Sequence, residues 1–210
     1  MEHSEKIWKT ALCLAVITVF YNLVEGLIST FFGASDETLS LFGFGLDSFV
    51  EVVSGIGIWH MVLRIRKRSH LKDTFEKLAL KITGISFYFL AAGLIVTAIF
   101  NFINNSRPIT TFWGLVISII SIATMYFLMT AKLKAGKSLD SPAIIADAQC
   151  TKTCIYLSVI LLLSSALFEI FKIGYIDSLG ALGIAYYAFT EGRESLNKSK
   201  NPDSTCCTCQ

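Results

Sequence analysis

The chain has 210 residues, of which 53% are hydrophobic and only 16% charged, whereas soluble domains carry about a quarter charged residues. Three prolines exclude a proline-rich or disordered chain, and a net charge of +2 leaves no footprint for nucleic acid. The apolar residues fall in runs of about twenty or more, each able to cross a hydrocarbon core of about 30 Å as a helix. A strand-based membrane barrel is disfavoured, because its strands alternate apolar and polar residues over about ten positions.

In chain order, the runs predict six transmembrane helices: Ile7 to Gly33, Leu39 to Leu63, Leu78 to Ile103, Thr110 to Leu133, Pro142 to Phe171 and Tyr175 to Thr190. The first is too long for a signal peptide and has no small-residue cleavage site. The last is the shortest and least apolar. Fifteen of the eighteen Lys and Arg residues fall on one side: Lys6 and Lys9, the Arg64–Lys81 segment, Lys132, Lys134 and Lys137, and Arg193, Lys198 and Lys200. Arg107 and Lys172 lie on the other side, and Lys152 falls within the fifth span. The excess of positive charge on inner loops makes both termini cytoplasmic. No segment between spans is long enough for a soluble domain. The expected organisation is an all-α, polytopic membrane domain over residues 1–197, followed by a cysteine-containing cytoplasmic tail at 198–210.

Ionisable residues at membrane depth are costly and mark functional sites by default. Span two carries Asp47 and Glu51, an i, i+4 pair on one helix face that repels itself unless a proton or cation lies between. Span five carries Asp147, Cys150, Lys152 and Cys154. A shift of 103 positions lays Asp47 on Cys150 and Glu51 on Cys154, and Gly43 and Gly45 on Ala146 and Ala148. Face to face, two carboxylates and two thiolates form a tetrahedral site suited to zinc. Cadmium, mercury or monovalent copper also suit such thiolate ligands, and magnesium or calcium do not. Cysteine is also a small apolar packer, so Cys150 and Cys154 have a packing reading beside the metal one.

Glu25, in the middle of span one, reads either as a carboxyl that holds helices together or as a proton or vestibule site. Asp147 reads as a fifth ligand, a proton carrier or a gate residue. Lys152 cannot share the cysteines' face and is free to pair with a carboxylate elsewhere. Glu169, Lys172 and Asp177 read as interfacial, His60 and His70 as boundary residues, and Cys13 as a packing residue. Gly55-x-Gly57 and Gly180-x-x-Gly183 allow close helix packing. The tail thiols Cys206, Cys207 and Cys209 can capture a soft metal in the reducing cytoplasm, or are incidental or lipidated.

These segments resemble the membrane domain of the cation diffusion facilitator, or cation efflux, family. The resemblance is carried by Tyr21-Asn-Leu-Val-Glu-Gly26, Gly43-Phe-Gly-Leu-Asp-Ser-Phe-Val-Glu51, Ala146-Asp-Ala-Gln-Cys-Thr-Lys-Thr-Cys154, Asp177-Ser-Leu-Gly-Ala-Leu-Gly-Ile-Ala185 and Glu191-Gly-Arg-Glu194. In that family, spans two and five each supply a His or Asp followed four residues later by Asp. Asp47 and Glu51 match the first pair in type, whereas Cys150 and Cys154 replace the second. Typical members also carry a cytoplasmic metal-binding domain after span six, for which the tail is too short. The chain looks closest to a bacterial branch of small cation transporters with the Gly-Leu-Asp-Ser and Glu-Gly-Arg-Glu patterns. The resemblance implies a six-helix cation-efflux bundle in the bacterial inner membrane. It further implies a homodimer that exports divalent metal from the cytoplasm in exchange for protons, with no prosthetic group.

The expected function is therefore proton-coupled efflux of zinc or a softer metal by alternating access, without enzymatic activity. Its partners are the lipid bilayer, the cation, protons and a second copy, and no nucleic acid. Two alternatives remain at this level: a membrane thiol oxidoreductase using Cys150 and Cys154, and a non-transporting metal sensor or scaffold working through the tail. Neither accounts for Asp47 and Glu51.

Overall fold

The computed structural model describes residues 2–36, 38–65, 72–104, 108–139 and 142–200. These form six helices: α1 (Glu2–Ser35), α2 (Leu39–Ile65), α3 (Lys72–Asn104), α4 (Phe112–Ser138), α5 (Pro142–Phe171) and α6 (Tyr175–Lys200). No strand occurs among the described residues. The tail thiols Cys206, Cys207 and Cys209, and His70, lie outside the described residues.

Five helices contain stretches long and apolar enough to cross a membrane: Ile7–Ser35, Leu39–Gly57, Gly84–Ile103, Phe112–Ser138 and Thr151–Phe171. Helix α6 does not reach that level, and it buries one face while Leu179, Tyr186 and Phe189 are exposed on the other. It carries a buried stripe of Ala181, Ile184, Ala185 and Ala188, all wholly enclosed by neighbouring helices. Several helices also continue beyond their apolar runs. Helix α4 extends over Lys134 and Lys137 to Ser138, and α6 reaches Lys200. A helix satisfies its own backbone, so it can continue into water wherever good helix formers follow. Lys137, in the last turn of α4, also meets the negative end of the helix dipole.

The helices associate chiefly as three pairs, α1 with α2, α3 with α6 and α4 with α5. Helix α2 is central and also touches α3, α5 and α6. Lipid supplies no hydrophobic drive between helices, so close contact depends on small residues. A Cβ on Gly45 would stand 2.7 Å from the backbone nitrogen of Thr30, so α1 and α2 meet backbone to backbone. In α3 and α6, a Cβ on Gly84 would lie 2.9 Å from the carbonyl of Gly192, and one on Gly192 would lie 3.0 Å from the carbonyl of Gly84. Gly55 faces Val19, Gly180 faces Ser164 and Gly183 faces Ile160, so these small-residue spacings serve contacts within the chain.

The bundle is apolar outside and polar within. Phe20, Phe31, Phe89, Phe100 and Phe127 are exposed, whereas Asn22, Ser29, Ser118, Ser121, Ser158 and Ser165 are wholly or almost wholly buried. Cys13 belongs to the outer face, not to the packing of α1.

At the ends where α2 and α4 begin, side chains tie the loops together. Thr38 donates through its hydroxyl to the Thr110 carbonyl at 2.9 Å, and the Ile109 N–H donates to the Asp36 carbonyl at 2.9 Å. Asp177 lies at a span end, as read from the sequence, but it is 2% exposed and caps α2 from the first turn of α6. It accepts the N–H groups of Leu39 at 2.7 Å and Ser40 at 3.2 Å, together with the Ser40 hydroxyl. Glu169 caps α4 in the same manner, accepting the Thr111 N–H at 2.8 Å and the Thr110 hydroxyl at 3.0 Å while pairing with Lys172. A helix N-terminus leaves its first N–H groups without intrahelical partners, and a carboxylate satisfies both their bonding and the helix dipole.

Candidate cation site

Asp47 sits near the middle of the apolar 39–57 stretch and is 1% exposed. Glu51, one turn further along α2, is also buried. The connections between successive helices are short, so the helices alternate in direction and α2 is antiparallel to α5. Across that interface the Cys154 thiol, buried and free of any disulfide, donates to Asp47 Oδ2 at 3.7 Å. Glu51 also acts electrostatically on Cys154. Of the two α5 residues that the 103-position shift lays on Asp47 and Glu51, Cys154 thus meets Asp47.

The hydrogen bonding of the two acids differs. Glu51 Oε2 accepts the Asn22 side-chain amide of α1 at 2.7 Å. Asp47 Oδ1 is buried and finds no hydrogen-bond partner among the described residues. Glu25 and Glu191 also act on Asp47 electrostatically, adding acids from α1 and α6. Charges of like sign in a medium of low dielectric interact strongly, and protons or a cation relieve the repulsion.

Among the described residues, no group of three or more His, Cys, Asp or Glu side chains is arranged to hold a metal as it stands. The 3.7 Å between Cys154 Sγ and Asp47 Oδ2 is near the separation of about 3.5 Å that a sulfur and an oxygen ligand of one tetrahedral zinc would have. Asp147 and Cys150 belong to α5, and their side chains are not among those described.

Glu25 is held by three elements. The Tyr21 hydroxyl donates to its Oε1 at 2.9 Å and the Ser48 hydroxyl to its Oε2 at 3.2 Å, with Ser121 of α4 as a further hydrogen-bond partner. Ser121 is linked in turn to Ser158 of α5 at 2.9 Å, which donates to the Cys154 carbonyl at 2.7 Å. Lys152 does not enter the site; it is exposed and stands over the Tyr156 ring at 5.7 Å. His60 is exposed, as a boundary residue would be.

Two buried polar residues were not singled out by position in the sequence. Lys132, within the basic end of α4, is 2% exposed and donates to the Thr151 hydroxyl of α5 at 3.0 Å. It had counted only as one of the loop charges that orient the chain. Asn22 appeared only inside a motif, although an amide in the middle of an apolar span is itself a polar exception.

The family model described as the cation efflux transmembrane domain matches residues 11–200, which takes in all or most of each of the six helices. No curated protein matches the chain. The match agrees with five apolar spans, a sixth helix packed on α3 and a buried acidic pair on α2, and the chain belongs to the cation efflux family of membrane cation transporters.

Proposed function

We propose that this transporter exports a divalent heavy metal, zinc or a softer cation, from the cytoplasm in exchange for protons, with Asp47, Glu51, Cys150 and Cys154 as its ligands. The observation that carries the reading is the contact between Cys154 and Asp47 across α2 and α5, beside an Asp47 oxygen that has no partner among the described residues. A buried acceptor without a donor is disfavoured in a protein of this kind, and a cation would satisfy it.

The exchange follows from the ligands themselves. Carboxylates and thiols must lose protons before they coordinate a cation, so cytoplasmic metal displaces protons from the site. When α2 and α5 rearrange to open the site outward, protonation of the same groups expels the metal. Glu25 is an accessory proton acceptor, and Asp147 has a similar role on α5. Cys206, Cys207 and Cys209 concentrate soft metal near the inner mouth. The working unit is a homodimer in the bacterial plasma membrane with both termini cytoplasmic.

The test is metal flux into proteoliposomes, with an internal pH dye reporting counter-movement of protons. Wild type should couple zinc or cadmium uptake to proton release, and Asp47→Ala should carry neither. Transport by Asp47→Ala at the wild-type rate would rule out the site. Removal of residues after Asn197 should leave core flux intact, whereas a sensor working through the tail would lose its function.

A further inference from the structure

Asn22 is wholly buried on α1, one turn before Glu25. Its amide is half satisfied. Nδ2 donates to Glu51 Oε2 at 2.7 Å, while Oδ1 finds no hydrogen-bond partner among the described residues. Turning the amide over would leave the amino group open in place of the carbonyl, so one end of the amide is unfilled either way. In the observed orientation the open atom is the oxygen. A second buried oxygen without a partner, Asp47 Oδ1, belongs to the same cluster. What sets these two oxygens apart from the other unpartnered atoms is that both belong to the cluster of Glu51, Asp47 and Cys154, where one cation would satisfy both.

We infer that Asn22 is a specificity-determining residue of the cation site: its Nδ2 orients Glu51, and its Oδ1 offers the cation a neutral oxygen. The inference rests on the proposed assignment of Asp47 and Glu51 to that site. Its chemical consequence is a bias among metals. Thiolates alone favour the softest cations, and each added oxygen shifts the preference toward zinc. Asn22 thus counterbalances the cysteines on α5.

The test measures binding to purified protein in detergent, separately from transport, with zinc and cadmium alone as probes in competition with a chromophoric chelator. In Asn22→Leu, which keeps the branching at Cγ, and in Asn22→Ala, zinc affinity should fall about ten- to a hundredfold, the usual effect of losing an orienting partner. Cadmium affinity should fall less, and the ultraviolet charge-transfer band of cadmium bound to thiolate should persist. In a Glu51→Gln background the further loss from Asn22→Leu should shrink, because the two residues act as a unit. Unchanged zinc and cadmium affinities in both Asn22 variants, with binding lost in Asp47→Asn, would overturn the role of Asn22 alone. Wild-type affinity in Asp47→Asn would instead overturn the site. One measurement needs no variant: with asparagine labelled with carbon-13, zinc should shift a side-chain amide carbonyl band in the infrared difference spectrum. Absence of that shift would also overturn the inference.

Discussion

Asp177 and Asp47 are both aspartates buried in the same bundle, and their surroundings are opposite. Asp177 fills its oxygens with two N–H groups and a hydroxyl from the start of α2. Asp47 has one weak thiol donor on Oδ2 and nothing on Oδ1. The first carboxylate is complete without a ligand and serves the architecture by pinning α6 to the first turn of α2. The second is incomplete among the described residues, and under the proposed function a cation completes it. Satisfaction, more than burial, separates the acids that hold this fold from those available for its transport chemistry.

That contrast can be broken by substitution. The largest expected effect is at Asp47: Asp47→Asn should abolish metal flux while leaving thermal stability unchanged or raised, because it removes a buried charge repelled by Glu51. A loss of stability there would make Asp47 a structural residue like Asp177. Cys154→Ser should come next, lowering cadmium affinity about ten- to a hundredfold and zinc affinity less, since oxygen replaces a soft ligand. Equal losses for both metals would assign Cys154 to packing. Asp177→Ala should do the converse of Asp47→Asn, reducing stability by about 2 kcal/mol through the lost cap. Protein that remains folded should bind zinc as the wild type does, by chelator competition. The smallest effect should come from Glu169→Gln, at about 1 kcal/mol or less, because that carboxylate is partly exposed and its pairing with Lys172 is screened. A thermal shift larger than that of Asp177→Ala would reverse the ranking of the two caps.

Much of this was legible in the chain. The limits of α5 at Pro142 and Phe171 coincide with the apolar run, because proline and the following Lys-Ile-Gly leave the helix no reason to extend. The Asp47 and Glu51 pair follows from helical periodicity alone. The ends of α4 and α6 were harder to read, because hydropathy marks where lipid ends and not where a helix ends. The capping role of Asp177 joins residues 137 and 138 positions apart, and no local pattern announces a contact at that range. Lys132 looked like a loop charge because a lysine's surroundings depend on the neighbouring helix, and α5 encloses it.

Composition and periodicity determined the solvent of this protein, its helical class and the acids on α2, since each depends on chemistry within a few turns of one helix. Only the tertiary structure decided which polar groups meet. Cys154 reaches Asp47, Asn22 reaches Glu51 and Asp177 reaches α2 because close contacts at small residues such as Gly45 and Gly84 set how the helices cross. Whether a buried acid is filled or left open depends on those crossings, and it is this that distinguishes a cap from a cation site.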